Sequence, residues 1–351
     1  MTQDQEIICE IRGAAGVVVL NRPKALNALS LGMVRELARA LDAWENDPQV
    51  TRVVVISTSE KAFSAGGDIR WLHDCGKVGR YEEMLAFWGE EYILNHRIKT
   101  YPKPYVALID GIVMGGGVGI SLHGSHRIAG DRYLFAMPEV GIGFFPDVGA
   151  TYALPRLADG FGRFLALTGE RIGAADALSV GLATHGMPSE RMAELADALT
   201  GRGALDEILA AFSLQRGPGP LQAERAVIAD AFGGETLPEV IARLDKAAAN
   251  GSAFAGKLLQ TIATKSPTSV AIAFEQMRRG AGLDFAEAMR TEYRIVSRIA
   301  RGHDFYEGVR AVVIDKDQAP RWQPATLDAV RQADIDAYFA LLGADELKLE
   351  G

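Results

Sequence analysis

Val53-Val54-Val55-Ile56 leads into Lys61-Ala62-Phe63-Ser64-Ala65-Gly66-Gly67-Asp68-Ile69, and Tyr105-Val106-Ala107-Leu108-Ile109 leads into Asp110-Gly111-Ile112-Val113-Met114-Gly115-Gly116-Gly117-Val118-Gly119. Twice, an apolar run that reads as a buried strand is followed by a glycine-rich turn and then a helix start. The succession has no strict period. It predicts duplicated supersecondary units in an α/β fold, not a solenoid. Glycine tolerates φ > 0 and close backbone approach, so such a turn can aim N–H groups at a ligand oxygen. Two such turns can supply two donors to one developing oxyanion.

Outward from this pair, the N-terminal side predicts a hairpin. Ile7, Cys9 and Ile11 alternate with polar residues, and Gly13 and Gly16 precede Val17-Val18-Val19-Leu20. Asn21-Arg22-Pro23 breaks the strand. Ser30 is placed to cap a helix carrying Met33, Val34, Leu37, Leu41 and Trp44 at helical spacing. Tyr81 to Ile98 reads as a long helix, and Pro102 and Pro104 introduce the next strand. After Pro188 the pattern changes to alanine-rich amphipathic stretches: Ser189–Leu199, Glu224–Phe232, Leu237–Ala249, Ala253–Thr264, Ser269–Arg279 and Phe285–Arg301. Gly217-Pro218-Gly219-Pro220 is the clearest linker. The expected organisation is an α/β core over 1–188 with the active site, and a mostly helical region over 189–351.

Composition narrows the function classes. Of 351 residues, 48% are hydrophobic and 23% charged, which predicts an ordered globular chain. A net charge of −8 argues against a nucleic-acid partner. Two cysteines in unlike contexts, Cys9 and Cys75, build neither a disulfide framework nor a thiolate metal site. No apolar stretch reaches the ~18 residues of a membrane-span candidate. Met1-Thr2-Gln3-Asp4-Gln5-Glu6 resembles no signal or transit peptide, so the expected location is cytoplasmic. The six histidines show no metal spacing; His123 and His126, three apart, are the weak exception. No metal and no redox cofactor is expected.

The glycine turns fail several familiar tests. No Lys-Ser or Lys-Thr follows them as a phosphate loop needs. Gly115 to Gly119 lacks the three-glycine dinucleotide spacing. Gly-x-Ser-x-Gly is absent, so Ser64 and Ser121 are poor hydrolase nucleophiles. Oxyanion binding by backbone amides survives. A carboxylate source is Met137-Pro138-Glu139-Val140-Gly141-Ile142-Gly143-Phe144-Phe145-Pro146-Asp147. Apolar neighbours would strip water from Glu139 and Asp147 and raise their basicity, which suits general-base or nucleophilic work at a carbonyl. Arg22, Lys24, Lys61 and Arg70 are either ordinary surface charges or a screen for an anionic ligand's phosphates.

These motifs resemble those of the crotonase (enoyl-CoA hydratase/isomerase) superfamily. The resemblance rests on the two glycine turns, on Glu90-Glu91-Tyr92-Ile93-Leu94-Asn95, on Phe135-Ala136-Met137-Pro138-Glu139 through Gly143-Phe144-Phe145-Pro146-Asp147-Val148-Gly149, and on Arg301-Gly302-His303-Asp304-Phe305-Tyr306-Glu307-Gly308-Val309-Arg310-Ala311. It continues to Ile314-Asp315-Lys316-Asp317 and Pro320-Arg321-Trp322, and spans about Ile7 to Leu342. It implies a crotonase-like spiral of ββα units with a mostly helical C-terminal region, and an acyl-CoA thioester as ligand, CoA being part of the substrate. By motif matching, the Gly67 and Gly116 amides form the oxyanion hole and the Ala65 carbonyl contacts adenine. Glu139 is the principal catalytic carboxylate, Asp147 its partner and Glu91 a substrate contact; Gly66, Asp68 and Gly115 complete the substrate-binding set. Hydratases of the superfamily carry a second glutamate where this chain has Gly119. That departure favours its thioester-hydrolysing branch, and the resemblance, through the 301–311 signature above all, implies hydrolysis of 3-hydroxyisobutyryl-CoA, a step of valine breakdown. Isomerase- or hydratase-type chemistry, and non-catalytic acyl-CoA binding, are the alternatives. The superfamily's trimer-based assemblies leave a homo-oligomer open.

Overall fold

The computed structural model describes residues 5–349, so residues 1–4 of the acidic N-terminal stretch lie outside it. The chain divides into two compact units, each built from three segments. One comprises Met1–Asp68, Glu90–Phe135 and Ile172–Pro220; the other comprises Ile69–Gly89, Ala136–Arg171 and Leu221–Gly351. The partition expected at residue 188 marks a change of element type, whereas the compact units interleave along the chain. The Gly217–Pro220 segment closes the first unit.

The first unit holds both sheets. Strands β1 (Ile7–Arg12) and β2 (Ala15–Leu20) form the expected hairpin, with Ile7 opposite Leu20 and Arg12 opposite Ala15. β3 (Arg52–Ser57) and β5 (Tyr105–Ile109) then add in parallel, each formed by one of the apolar runs quoted first. β7 (His126–Ala129) and β10 (His185–Gly186) complete the order β1-β2-β3-β5-β7-β10. A second sheet orders β4 (Ala62–Ser64), β6 (Ile112–Met114), β8 (Leu134–Ala136) and β9 (Ile172–Gly173). Each buried strand is thus followed by a short second strand before its glycine turn. In sequence this gives β3-β4 then helix α2 (Ile69–Lys77), and β5-β6 then helix α4 (Gly116–Leu122). The three-residue partner strands are too short to be read from periodicity.

Helix α1 (Leu31–Glu45) begins where expected: Ser30 Oγ accepts the Met33 N–H at 3.3 Å. Its buried stripe is Met33, Val34, Leu37, Ala40, Leu41 and Trp44, a 3.6-residue period. Helix α3 covers Tyr81–Lys99. The sheet core of Val17, Val19, Val54, Val106, Leu108 and Ile128 is completed by Leu195, Leu199, Leu209 and Phe212. These last four come from the segments around Met192–Ala198 and Leu205–Phe212. The second of those helices went unread because eight residues with two buried side chains carry too little pattern.

In the second unit, helices Leu237–Ala249, Ala253–Ala263, Pro267–Gly280 and Phe285–Ile299 fall within two residues of the expected spans. Thr236, Ser252, Ser266 and Asp284 cap them, each side chain accepting an N–H three residues on. Among the described residues, no helix is long and apolar enough to cross a membrane.

Candidate active site

In the first unit, the two glycine turns abut. A Cβ on Gly66 would lie 3.9 Å from the Gly116 nitrogen, and one on Gly116 would lie 3.4 Å from the Gly66 carbonyl carbon, the atom bonded to Gly67 N. Leu29 fixes the first turn: its N–H donates to Gly66 O at 2.7 Å and its carbonyl accepts from Asp68 N at 3.0 Å. That pairing skips Gly67, whose own N–H points away from Leu29, as alternate residues do in a parallel bridge. Gly115 takes φ 44°, ψ −126°, which L side chains avoid, and starts α4. The Gly116 N–H is therefore one of the helix-start donors without an intrahelical partner. Neither N–H is spent in a ladder.

Side chains brace this pair. Asn27, fully buried at φ 55°, donates to Ser57 Oγ at 2.7 Å and to Phe63 O at 3.0 Å. Its Oδ1 accepts from Arg22 N at 2.8 Å. Asn27 was not singled out in the sequence; the turn-forming tendency of asparagine after Arg22-Pro23 was the available signal. Asp68 pairs with Arg22 at 2.9 Å, and Arg22 also meets Glu6 at 2.9 Å. The Arg22 charge is thus already answered by two carboxylates. Glu90 and Glu91 separate: Glu90 pairs with Arg35 at 2.7 Å on the surface, while Glu91 is buried. A Cβ on Gly116 would come 2.5 Å from Glu91 Oε1, so only glycine lets this carboxyl lie against the turn. One turn along α3, Asn95 is fully buried with neither side-chain amide atom hydrogen-bonded. Ser64 Oγ donates to Asn27 O at 2.8 Å and Ser121 Oγ to Gly117 O at 2.7 Å, so both hydroxyls are engaged by backbone.

In the second unit, the acidic loop is assembled around Glu139. This residue opens a single 3₁₀ turn, Glu139–Ile142, closed by Gly143 at φ 70°. Glu139 is 6% exposed, and its Oε2 has no hydrogen-bond partner. Burial first, and then the charge of Asp147, hold its carboxyl well above the usual carboxylate range. The same loop carries an aromatic cluster: Trp88 stacks on Phe144 with centroids 5.5 Å apart, and Phe145 and Phe305 lie 4.8 and 5.6 Å from Phe144. A buried site solvates charge poorly, which is the first cause of the Glu139 shift. Asp147 is 5% exposed and precedes two left-handed residues, Val148 (φ 53°) and Gly149 (φ 89°).

A third carboxyl stands near Asp147. Glu292, on helix Phe285–Ile299, is fully buried and accepts N–H bonds from Gly149 at 2.8 Å and Thr151 at 2.9 Å. Burial and then the Asp147 charge push it up to about 8. It was missed in the sequence, although the signal was present: Met289, Glu292, Ile295, Val296 and Ile299 share one buried stripe, and a glutamate there is out of place.

The 301–321 signature supports the Glu139 turn. A Cβ on Gly143 would lie 2.0 Å from Asp304 O, and one on Gly308 would lie 2.3 Å from the Ile142 carbonyl carbon. Ser266 Oγ donates to Asp304 Oδ2 at 2.6 Å, and Ser266 N to Val140 O at 3.1 Å. Arg310 closes the segment against Glu307, Asp315 and Asp317 at 2.8, 2.8 and 2.6 Å. Its hydrogen bonds draw Glu307 down to about 2. Among the described residues, no group of three or more His, Cys, Asp and Glu side chains is disposed to hold a metal ion. His126 instead lies beside His185, ring centroids 5.8 Å apart.

Residues 15–339 match the model of the enoyl-CoA hydratase/isomerase family. The chain belongs to that family. Among curated relatives, the mitochondrial 3-hydroxyisobutyryl-CoA hydrolase of Xenopus laevis is 47% identical over 349 residues, covering 96% of this chain and 89% of the relative. The human protein of the same name is 41% identical over 354 residues, covering 98% and 91%. A solved structure described as a carnitinyl-CoA dehydratase from Mycobacterium thermoresistibile superposes with a TM-score of 0.93 at 40% identity, covering 99% of this chain and 100% of that one. One described as an enoyl-CoA hydratase from Rhodobacter sphaeroides 2.4.1 gives 0.92 at 38%, covering 98% and 100%. The fold is therefore the crotonase-like succession of ββα units with a helical C-terminal region. The expectation of a cytoplasmic location is corrected: the curated relatives carry mitochondrial names. The polar, acidic start of the given sequence carries no address either way.

Proposed function

We propose that this chain hydrolyses the thioester of 3-hydroxyisobutyryl-CoA, releasing 3-hydroxyisobutyrate and CoA. The observation that carries this reading is Glu139: a buried carboxyl with one unpartnered oxygen and raised basicity. The names of the full-length relatives support the same substrate. In the proposed reaction the Gly67 and Gly116 N–H groups take the thioester oxygen, so that charge developing on it meets fixed donors. Glu139, ionised, delivers an oxygen to the carbonyl carbon, by its own attack or through a water it deprotonates. The tetrahedral centre collapses, the C–S bond breaks, and the sulfur leaves as thiolate and is protonated. If Glu139 itself attacked, water cleaves the resulting anhydride and regenerates the carboxylate. Asp147 orients Glu139, the water or the substrate hydroxyl; Glu91 contacts the substrate; and Ala65, Gly66, Asp68 and Gly115 line the CoA ester. The reaction as drawn needs no redox group.

Two of the structural neighbours carry hydratase or dehydratase descriptions. Addition of water across a double bond needs an acid and a base serving adjacent carbons. Helix α4, Gly-Gly-Val-Gly-Ile-Ser-Leu, holds no carboxylate, and Gly119 stands where hydratases carry their second one. A panel assay separates the two readings. Thiol release from 3-hydroxyisobutyryl-CoA with no hydration of an unsaturated acyl-CoA is expected. Hydration without thiol release would reject hydrolysis.

A further inference from the structure

Asp147 sits in a segment whose backbone is gripped on both sides by one helix pair. Upstream, Gln276 Nε2, from helix Pro267–Gly280, donates to the Pro146 carbonyl and to Thr151 Oγ1 at 2.7 Å. Downstream, Glu292 takes the Gly149 N–H on Oε2 and the Thr151 N–H on Oε1. Between the two grips lie Asp147 and two residues in left-handed conformation, one of them the β-branched Val148. A β-branched residue at φ 53° is strained and persists only where its surroundings over-determine it. Gln276, Thr151 and Glu292 are each buried to 5% exposure or less in the second unit.

We propose that Glu292 is a positioning residue for the hydrolysis: with Gln276 and Thr151 it fixes the Pro146–Thr151 segment and so holds Asp147 in its working place. This rests on the function proposed above. Both Glu292 oxygens are acceptors here, so an amide cannot replace the carboxyl: its NH₂ would face the N–H of Gly149 or Thr151, donor against donor. The Asp147 charge is also one cause of the raised proton affinity of Glu139, so a displaced Asp147 changes how readily Glu139 ionises. Loss of Glu292 therefore reaches the chemistry by moving Asp147, without touching substrate.

The test is steady-state thiol release from 3-hydroxyisobutyryl-CoA by the full chain, wild type against Glu292→Gln, across pH. The expected result is kcat lowered on the order of 10–100-fold with KM little changed, and a displaced acidic limb of the pH profile. A folded Glu292→Gln protein with wild-type kcat and pH profile would overturn the proposal. A purely structural role would lower the melting temperature and leave both kinetic readouts in place. Should that variant not fold, Gln276→Met and Thr151→Val remove the other members of the grip while leaving Glu292. A several-fold fall in kcat at unchanged KM in either supports the proposal, and wild-type kcat in both overturns it. Absence of thiol release by the wild-type chain would instead reject the hydrolase reading itself.

Discussion

The glycine turns and the acidic loop present function in opposite ways. In the turns, the working atoms are backbone N–H groups, and glycine marks them in the local sequence: it sets Gly115 in a conformation other residues avoid, while a parallel bridge from Leu29 leaves Gly67 N free of the ladder. In the loop, the working atoms are side-chain oxygens, and distant sequence sets their chemistry. Glu139 owes its raised proton affinity to burial and to Asp147, while Gly143 rests on Asp304 and Gly149 on Glu292. A backbone donor can be signalled by glycines in one short turn, whereas a tuned carboxyl depends on what buries it.

The largest way to break the comparison is at the loop. Glu139→Gln keeps shape and removes the ionisable oxygen, and thiol release is expected to fall roughly 10²–10⁴-fold while binding of the CoA ester persists in calorimetry. Gly116→Ala attacks the turns instead. Its methyl would collide with Glu91 Oε1, and displacement of one donor is expected to cost about 10²–10³ in kcat. Near-normal turnover by either variant would remove that region from the mechanism.

Gly143→Ala separates support from chemistry. The added carbon would strike the Asp304 carbonyl, and φ 70° adds strain, so chemical denaturation should show a loss of about 2–4 kcal/mol. An unchanged midpoint would show that the signature helix does not hold the Glu139 turn.

Proton uptake sharpens the contrast further. Glu139 and Glu292 hold protons more tightly in the folded chain than in the unfolded one. The unfolded chain loses those protons first as pH rises. The stability they contribute is full below the ordinary carboxylate pKa and is lost as pH rises through the folded values, about 8 for Glu292. Within that window each group costs about 1.4 kcal/mol per pH unit. Glu292→Gln should therefore flatten the fall of unfolding free energy between pH 5 and 8, in urea titrations. Catalysis runs the other way, because Glu139 must ionise: kcat/KM should rise with pH to an inflection above the ordinary glutamate value. The smallest effect belongs to the exposed Arg35–Glu90 pair, where Arg35→Gln should leave both the denaturation midpoint and kcat at the wild-type value.

Much of this was legible in the sequence, and the gaps have physical causes. The hairpin, the Ser30 cap, α3 and four C-terminal helices follow from periodicity and capping chemistry, which are local. β4 and β6 are three residues long and lie between a strand and a turn, below the reach of a two-residue period. Glycine spacing and the loop's apolar neighbours singled out the turns and Glu139. Glu292 stayed hidden because its meaning depends on Gly149 and Thr151, more than a hundred residues away, although its place on an apolar stripe was the available sign. The interleaved units share that cause: contacts decide them, and residue 188 is only where the helical pattern begins.

The most direct measurement is the infrared frequency of a carbonyl-labelled 3-hydroxyisobutyryl-CoA bound to Glu139→Gln, compared with Glu139→Gln carrying Gly116→Ala. With both amides gripping the thioester oxygen, the bound C=O stretch should move below its frequency in water and return toward it when Gly116 is changed. A bound carbonyl at its solution frequency, unmoved by the Gly116 substitution, would contradict the account.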